Sequence, residues 1–145
     1  MNNSIDFLVL PETDKSAMTL PSGNSYTANA VGLIYYDDGL TYDNITRFEL
    51  NLVNNNDNTA TLNIVNTNEV NTQRNLRHEN LGVLYIMGAK TSGFSGFNAA
   101  TIGGVALEKP VYNADTDILA VNMTDSTGTI YNIYKVTAVQ LSTTA

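Results

Sequence analysis

The sequence of 145 residues contains no cysteine, no tryptophan and a single histidine. Without cysteine there is no disulfide framework, no thiolate metal site and no thiol nucleophile. A Ser–His–acid relay would need His78 as its base, and the flanking Arg77 and Glu79 indicate a solvated loop residue instead. The usual His/Cys zinc site is excluded by the same shortage. We therefore predict a non-enzymatic protein with no catalytic residue.

Charged residues are also scarce, at 14% of the chain against a usual fraction of about 25%. Acidic residues outnumber basic ones by 14 to 7, which gives a formal net charge of −7. This charge repels phosphate backbones and anionic lipid, so we expect neither a nucleic-acid partner nor a membrane partner. Asn and Thr supply the polarity that charge does not, and both favour turns and strands over helices.

The N-terminal segment does not have the pattern of a secretory signal peptide. It has no basic residue ahead of its apolar stretch, which Asp6 interrupts and Pro11 ends. No apolar run approaches the roughly 18 residues that a membrane-spanning helix needs. The expectation is a protein made in the cytoplasm without an export signal.

Apolar residues recur with a period of two along most of the chain, which is typical of half-buried strands. In residues 45–53, Phe48, Leu50 and Leu52 alternate with polar residues, and residues 59–65 repeat the pattern after an Asn/Asp turn. This pair predicts a hairpin. A second hairpin is predicted for residues 117–123 and 129–141. Its last strand would be apolar on both faces, as in a central strand or one covered by a neighbouring subunit.

Four further apolar runs bring the total to about eight strands: residues 5–10, 30–36, 81–87 and 102–107. The run 81–87 is the most continuously apolar and is predicted to lie in the middle of the core. The predicted fold class is all-β, a single antiparallel β-sandwich over residues 1–145. A jelly roll is favoured over an immunoglobulin-like topology, because the Cys and Trp signature of antibody domains is missing. Residues 11–29 and 66–80 are expected to be long polar connections.

The acidic residues lie mostly in predicted turns. Asn113, Asp115 and Asp117 have the alternating spacing that begins a calcium loop, and calcium at this loop is one alternative. The glycine and the distal glutamate of an EF-hand are missing. The favoured interpretation is an Asx-turn, in which the side chain bonds its own backbone two residues on, so no metal or other cofactor is predicted. Paired carboxylates for glycosidic cleavage stay open, since their distances cannot be read from sequence.

One basic cluster stands out in this acidic chain. Arg74, Arg77 and His78 lie within five residues and are bracketed by Glu69 and Glu79. They are a candidate partner-binding site, with solvated loop charge or an intersubunit ion pair as the alternatives.

Tyrosines are the second candidate for partner binding. Tyr35 and Tyr36 precede the predicted turn of Asp37, Asp38 and Gly39, where they could stack on a sugar or contact a protein. Packing in the core or on the sheet surface is the alternative. The absence of tryptophan counts against sugar binding.

The composition is rich in Asn, Thr, Gly and Tyr and poor in Lys and Glu. It resembles that of extracellular adhesins and virion proteins, and virion proteins need no signal peptide because lysis releases them. In composition and expected architecture the chain resembles the small β-sandwich capsid decoration, vertex and fibre proteins of tailed or icosahedral phages. The resemblance implies a structural protein of the virion, a homo-oligomer that contacts capsid or other virion proteins. The alternative is a carbohydrate- or cell-surface-binding module.

Overall fold

Twelve β-strands and two single turns of helix make up the described part of the chain. The computed structural model describes residues 3–37, 45–67, 79–125 and 127–144. The strands are β1 (Asn3–Val9), β2 (Ser16–Thr19), β3 (Ser25–Ala28), β4 (Ala30–Asp37), β5 (Ile45–Asn54), β6 (Thr59–Asn66), β7 (Glu79–Met87), β8 (Ala99–Ile102), β9 (Val105–Ala106), β10 (Val111–Asn113), β11 (Ile118–Asn122) and β12 (Ala138–Ser142). The helical turns are α1 (Ala89–Ser92) and the 3-10 turn η1 (Ile133–Lys135). The predicted all-β class is confirmed. Neither described helical turn has the length or the apolar character to cross a membrane.

The strands form three sheets. One has four strands in the order β1-β7-β11-β10, one has six in the order β4-β5-β6-β12-β8-β9, and β2 and β3 form a separate hairpin. The prediction of a wholly antiparallel arrangement is wrong at one place, because β1 and β7 run parallel, with Ile5 opposite Leu81. These two strands are far apart in sequence, so no short turn forces them to be antiparallel.

The predicted hairpin of residues 45–53 and 59–65 is confirmed as β5 and β6. Leu50 lies opposite Ile64 and Leu52 opposite Leu62, and all four side chains are buried. Asn56 and Asn58 have φ values of 61° and 69°. This left-handed region is one that asparagine tolerates better than most residues, which explains the asparagine-rich turn.

The second predicted hairpin is wrong. Its first strand exists as β11, but residues 129–141 contain η1 and only the short strand β12, which lies in the other sheet. Ile133 and Val136 are both buried, and their spacing of three fits a 3-10 turn. Val139 and Leu141 of β12 are fully buried, whereas Gln140 between them is exposed. The last strand is therefore apolar on one face only.

About eight strands were predicted, and the difference comes from short strands joined by tight turns. Residues 11–29, expected to be a long connection, contain the hairpin of β2 and β3. The run 102–107 is divided between β8 and β9 by Gly103 and Gly104, whose φ values of 56° and 83° suit glycine. Most of the other expected connection, residues 66–80, lies outside the described residues.

The buried apolar side chains of the two larger sheets form one cluster. The four-stranded sheet contributes residues such as Leu84, Ile86 and Leu119, and the six-stranded sheet residues such as Phe48 and Leu141. Strand β7 lies between β1 and β11, and its Leu81, Leu84 and Ile86 are no more than 1% exposed. The prediction that residues 81–87 lie in the middle of the core is confirmed.

Candidate functional site

A concave surface lies between β1 and β4, which are edge strands of the two larger sheets. This groove, called here the β1–β4 groove, has a volume of about 330 Å³. It is lined by residues of β1 and its C-terminal end, of β4, and of the neighbouring strands β5 and β6: Asp6, Phe7, Leu8, Val9, Leu10, Ala30, Val31, Gly32, Leu33, Ile34, Leu50, Leu52 and Leu62. Twelve of these thirteen described residues are apolar or glycine, so the groove suits an apolar ligand or chain segment.

Large apolar side chains are exposed mainly along the strands that end the two larger sheets. Leu8 in β1 and Leu10 just after it are 70% and 71% exposed, and Val111 in β10 is 65% exposed. Val105 in β9 is the fourth such residue. The remaining described example, Ile130, lies outside the strands. Apolar exposure is therefore concentrated where backbone hydrogen-bonding groups are also left unpaired by the sheets.

A β-bulge fixes β1 beside the groove. The register of β1 against β7 shifts between Ile5 and Phe7, and the Asp6 Oδ1 accepts the Val83 N–H at 2.8 Å. A Cβ at Gly82 would overlap Asp6 Oδ1 and lie 3.0 Å from the Ile5 carbonyl oxygen. Gly82 is thus needed for the close approach of Asp6, and the extra residue of the bulge lies in β7, opposite Asp6.

A buried carboxylate lies on the opposite face of the six-stranded sheet. Glu49 in β5 has no exposed surface. Its Oε1 accepts the Tyr26 O–H at 2.7 Å and the Asn24 Nδ2–H at 2.9 Å, and its Oε2 accepts the Ser22 O–H. All three donors belong to the β2–β3 hairpin. The hairpin therefore covers Glu49 and supplies the hydrogen bonds that a buried carboxylate requires.

Glu49, Ser22, Asn24 and Tyr26 form what is called here the Glu49 cluster, and its role is structural. Burial, with the hydrogen bond to Glu49 next in size, raises the pKa of Tyr26 to about 12. Asn29 attaches the base of the same hairpin, since its Oδ1 accepts the Asn54 N–H at 2.7 Å and its Nδ2 donates to the Glu12 carbonyl at 2.9 Å. A carboxylate closed off from solvent has no path to a substrate. We interpret the cluster as the anchor of the hairpin.

The candidate calcium residues form the turn between β10 and β11. The Asn113 Oδ1 accepts the Asp115 N–H at 2.9 Å, which is the Asx-turn that the sequence favours. The Asp117 Oδ1 accepts the Tyr112 O–H at 2.7 Å and the Lys90 N–H at 2.8 Å. The bond from Tyr112, followed by that from Lys90, lowers the pKa of Asp117.

These bonds tie the turn of residues 113–117 to the helical turn α1, because the Asp117 carbonyl also accepts the Ala89 N–H at 3.1 Å. Among the described residues no group of three or more His, Cys, Asp or Glu side chains is arranged to hold a metal ion. Calcium at Asn113, Asp115 and Asp117 stays the alternative to the favoured interpretation, which is an Asx-turn without a metal.

Asp125 closes another turn in the same way. Its Oδ1 accepts the Thr127 N–H and O–H and the Thr129 N–H at 2.7 to 2.9 Å, and its Oδ2 accepts the Tyr131 O–H at 3.2 Å. The hydrogen bond from the Thr127 hydroxyl, with that from the Thr129 N–H next, holds the pKa of Asp125 well below its usual range. The carboxylate serves the turn and is saturated by it.

The two predicted partner-binding sets fall largely outside what is described. Arg74, Arg77 and His78 all lie outside the described residues. The backbone of Tyr35 and Tyr36 lies in β4, opposite Arg47 and Thr46 of β5, and their side chains are not among the described ones. Both sets stay predictions, and so does the carbohydrate-binding alternative that depends on the tyrosines.

Sequence reasoning missed the β1–β4 groove, although the sequence contains a signal for it. From Phe7 to Leu10 every residue is apolar, so both faces of the strand carry apolar side chains. Phe7 and Val9 pack against the core while Leu8 and Leu10 are exposed. The pattern of apolar residues on both faces, which the sequence predicts for residues 129–141, is present in residues 7–10 instead.

No protein-family model matches this chain, and no curated protein matches its sequence.

Proposed function

We propose that this chain is a non-enzymatic structural component of a virus particle, which binds capsid proteins, other virion proteins or its own copies through the edges of its two larger sheets. The observation that carries the proposal is the concentration of exposed apolar side chains at Leu8, Leu10, Val105 and Val111. Each belongs to an edge strand or directly follows one. Edges that expose both apolar side chains and free backbone groups promote association with other chains.

The finer fold is part of the proposal. We propose a single domain in which the four-stranded and six-stranded sheets face each other as a sandwich, supported by the one cluster of buried side chains that both supply. The jelly roll stays a prediction. The parallel pair of β1 and β7 counts against it, because jelly rolls are antiparallel architectures.

Electrostatics agree with a structural role in an assembly. With a net charge of −7, isolated copies repel one another at long range, so association depends on local contacts without like charges. Leu8, Leu10, Val105 and Val111 supply such contacts. Neither a catalytic residue nor a nucleic-acid surface is part of the proposal.

The proposal is tested by the composition of native particles. Particles purified from the source of the chain are expected to contain it in a fixed copy number, measured by quantitative mass spectrometry. Its absence from such particles would refute the virion role.

The contribution of the edges is tested separately by substitution. In particle-binding assays, Leu8→Ser and Val111→Ser are each expected to weaken incorporation. Ile130→Ser is the matched control, because Ile130 is 53% exposed but lies on no strand. Equal incorporation of all three variants would show that the sheet edges are not the contact sites.

A further inference from the structure

The β1–β4 groove lies where the narrower sheet ends and the wider one continues. The four-stranded sheet ends at β1, and the six-stranded sheet ends at β4. Neighbouring strands are about 4.8 Å apart, so the two additional strands make the second sheet roughly 10 Å wider. Since β4 and β5 side chains line the groove next to β1, part of this additional width lies beside β1. No described strand therefore occupies the position next to β1.

The floor of this position is made of unusually small residues. Ala30 lies opposite Leu52, and Gly32 opposite Leu50, so these four residues share the inward face of the sheet. Gly32 has no positive φ, and a Cβ added there would have Leu50 Cβ at 4.0 Å as its nearest neighbour. The backbone does not require glycine at position 32. Because glycine has no side chain, it makes the groove deeper at this position.

The walls offer backbone hydrogen bonds. Among the described strands, β1 pairs only with β7 and β4 only with β5. The outer edges of both strands therefore present N–H and C=O groups beside an apolar floor. Strand addition uses this combination, with main-chain bonds for affinity and pockets for alternate side chains.

We propose that the β1–β4 groove accepts one extended segment donated by a different protein of the particle, added as a strand to the free edge of β1. Alternate residues of the segment are apolar and fill the space above Ala30 and Gly32. One basic residue faces Asp6. The inference rests on the proposed structural role and specifies a partner for it.

The negative charge of Asp6 and of the whole chain favours a basic partner. Among the described residues that line the groove, Asp6 is the one ionisable residue, and its Oδ1 accepts the Val83 N–H at 2.8 Å. A lysine or arginine on the donated segment would complement this fixed carboxylate. The net charge of −7 attracts a basic segment and repels a second copy of this chain.

Shape also disfavours a second copy. A folded copy that paired its own β1 with this β1 would bring its wider sheet up against β4, which already occupies the space beneath the free edge. A lone extended segment has no second sheet and avoids this collision.

The test measures binding of three synthetic peptides by fluorescence anisotropy. The first peptide alternates valine and threonine and contains one lysine, the second replaces the lysine with glutamate, and the third carries prolines that prevent strand pairing. The wild-type protein is expected to bind the lysine peptide most tightly and the proline peptide not at all. Asp6→Asn keeps the oxygen that accepts the Val83 N–H and is expected to remove the preference for lysine over glutamate.

Filling the groove provides the decisive variants. Gly32→Leu and Ala30→Leu are each expected to weaken binding of the lysine peptide about tenfold or more, because one apolar side chain of the peptide loses its site. Ala106→Leu, at an exposed position of β9 outside the groove, is the matched control and is expected to bind normally. Circular dichroism checks that each variant is folded. If one of the two groove variants does not fold, the other is sufficient for the test.

Three results would overturn the inference: no binding of the lysine peptide to the wild type, equal binding to the groove variants, or a wild-type dimer in sedimentation that Gly32→Leu converts to monomer. The last would identify a second copy as the occupant. Each result leaves the structural role standing if the chain is found in particles, so the two proposals fail separately.

Discussion

The two faces of the β4–β5 ribbon contrast in what covers them. On the outer face Glu49, a carboxylate, has no exposed surface, because the β2–β3 hairpin lies over it. On the inner face the described residues leave the apolar β1–β4 groove partly open beside β1. Polar residues are usually outside and apolar residues inside, and here each side of one ribbon departs from that pattern. Burial of a sheet face therefore depends on which segment of the chain covers it, as well as on the polarity of its side chains.

On the outer face, the buried carboxylate of Glu49 is stabilised by hydrogen bonds from the hairpin that covers it. Three donors from a single hairpin meet the two oxygens of Glu49, so the carboxylate and the hairpin depend on each other. On the inner face, no described segment covers the apolar side chains of the β1–β4 groove in a comparable way. This asymmetry is the reason for interpreting the outer cluster as structural and the groove as a binding site.

The largest effect is expected from Glu49→Ala. It leaves the hydroxyls of Ser22 and Tyr26 and the amide of Asn24 without their acceptor, and it should lower the free energy of unfolding by about 3 kcal/mol or more. Urea unfolding measures the change. Glu108→Ala is the control, since Glu108 is exposed and its Oε2 accepts one bond from Asn122 at 2.9 Å. If the free energy of unfolding falls equally little in both variants, Glu49 does not hold the hairpin in place.

The second effect concerns the wall of the groove. Gly82→Ala places a Cβ against Asp6 Oδ1 and the Ile5 carbonyl, so we expect a loss of about 2 kcal/mol from overpacking. Hydrogen exchange should show the lost protection mainly in β1. Gly96→Ala is the control, because a Cβ there would have no neighbour within 4 Å. Uniform loss of protection across all strands would contradict a local role for the bulge.

A smaller effect is expected from Tyr26→Phe, which removes one donor to Glu49 and should cost about 1 kcal/mol at neutral pH. The folded pKa of Tyr26 is about 12, above the value of about 10 in an unfolded chain. Its contribution is therefore complete below pH 10 and is lost as the pH rises towards 12. The free energy of unfolding of the wild type should fall between pH 10 and pH 12, and that of Tyr26→Phe should fall less.

Ultraviolet titration checks the alkaline prediction directly. Comparison of the wild type with Tyr26→Phe should show that the substitution removes one tyrosine ionisation near pH 12. Loss of an ionisation near pH 10 instead would mean that Tyr26 is not held by Glu49 in solution.

The smallest effect on stability is expected on the open side of the ribbon. Leu8 is 70% exposed, so Leu8→Ser should change the free energy of unfolding by less than about 0.5 kcal/mol. Leu52→Ala, at the buried floor of the same groove, should cost about 2 to 5 kcal/mol. Thermal unfolding of both variants separates the side chains that hold the fold from those left for a partner. A large loss for Leu8→Ser would place Leu8 in the core.

Alternation was sufficient to predict several elements because their partners are close in sequence. The β5–β6 hairpin follows from two period-two runs joined by five Asn and Asp residues, and β7 follows from its continuous apolar run. The Asn113 turn follows equally from local chemistry, since an Asx-turn needs only the backbone two residues on. The same reasoning failed at residues 129–141, where spacings of two and three both bring apolar residues to the core.

The β1–β4 groove and the Glu49 cluster could not be predicted in this way. Glu49 has the position of a solvent-facing residue in an alternating strand, and nothing near it in sequence indicates that Ser22, Asn24 and Tyr26 will cover it. The groove requires knowledge that one sheet has four strands and the other six. Both features depend on contacts between segments more than twenty residues apart.

The all-β class, the β5–β6 hairpin, the central position of β7 and the absence of cysteine chemistry can be read from the amino-acid sequence. These properties depend on composition and on local periodicity, which act within a few residues. The parallel pairing of β1 with β7, the burial of Glu49 and the groove that the described residues leave beside β1 follow from the tertiary structure. The physical reason is that the hydrophobic effect selects which faces are buried without specifying which distant segment covers them.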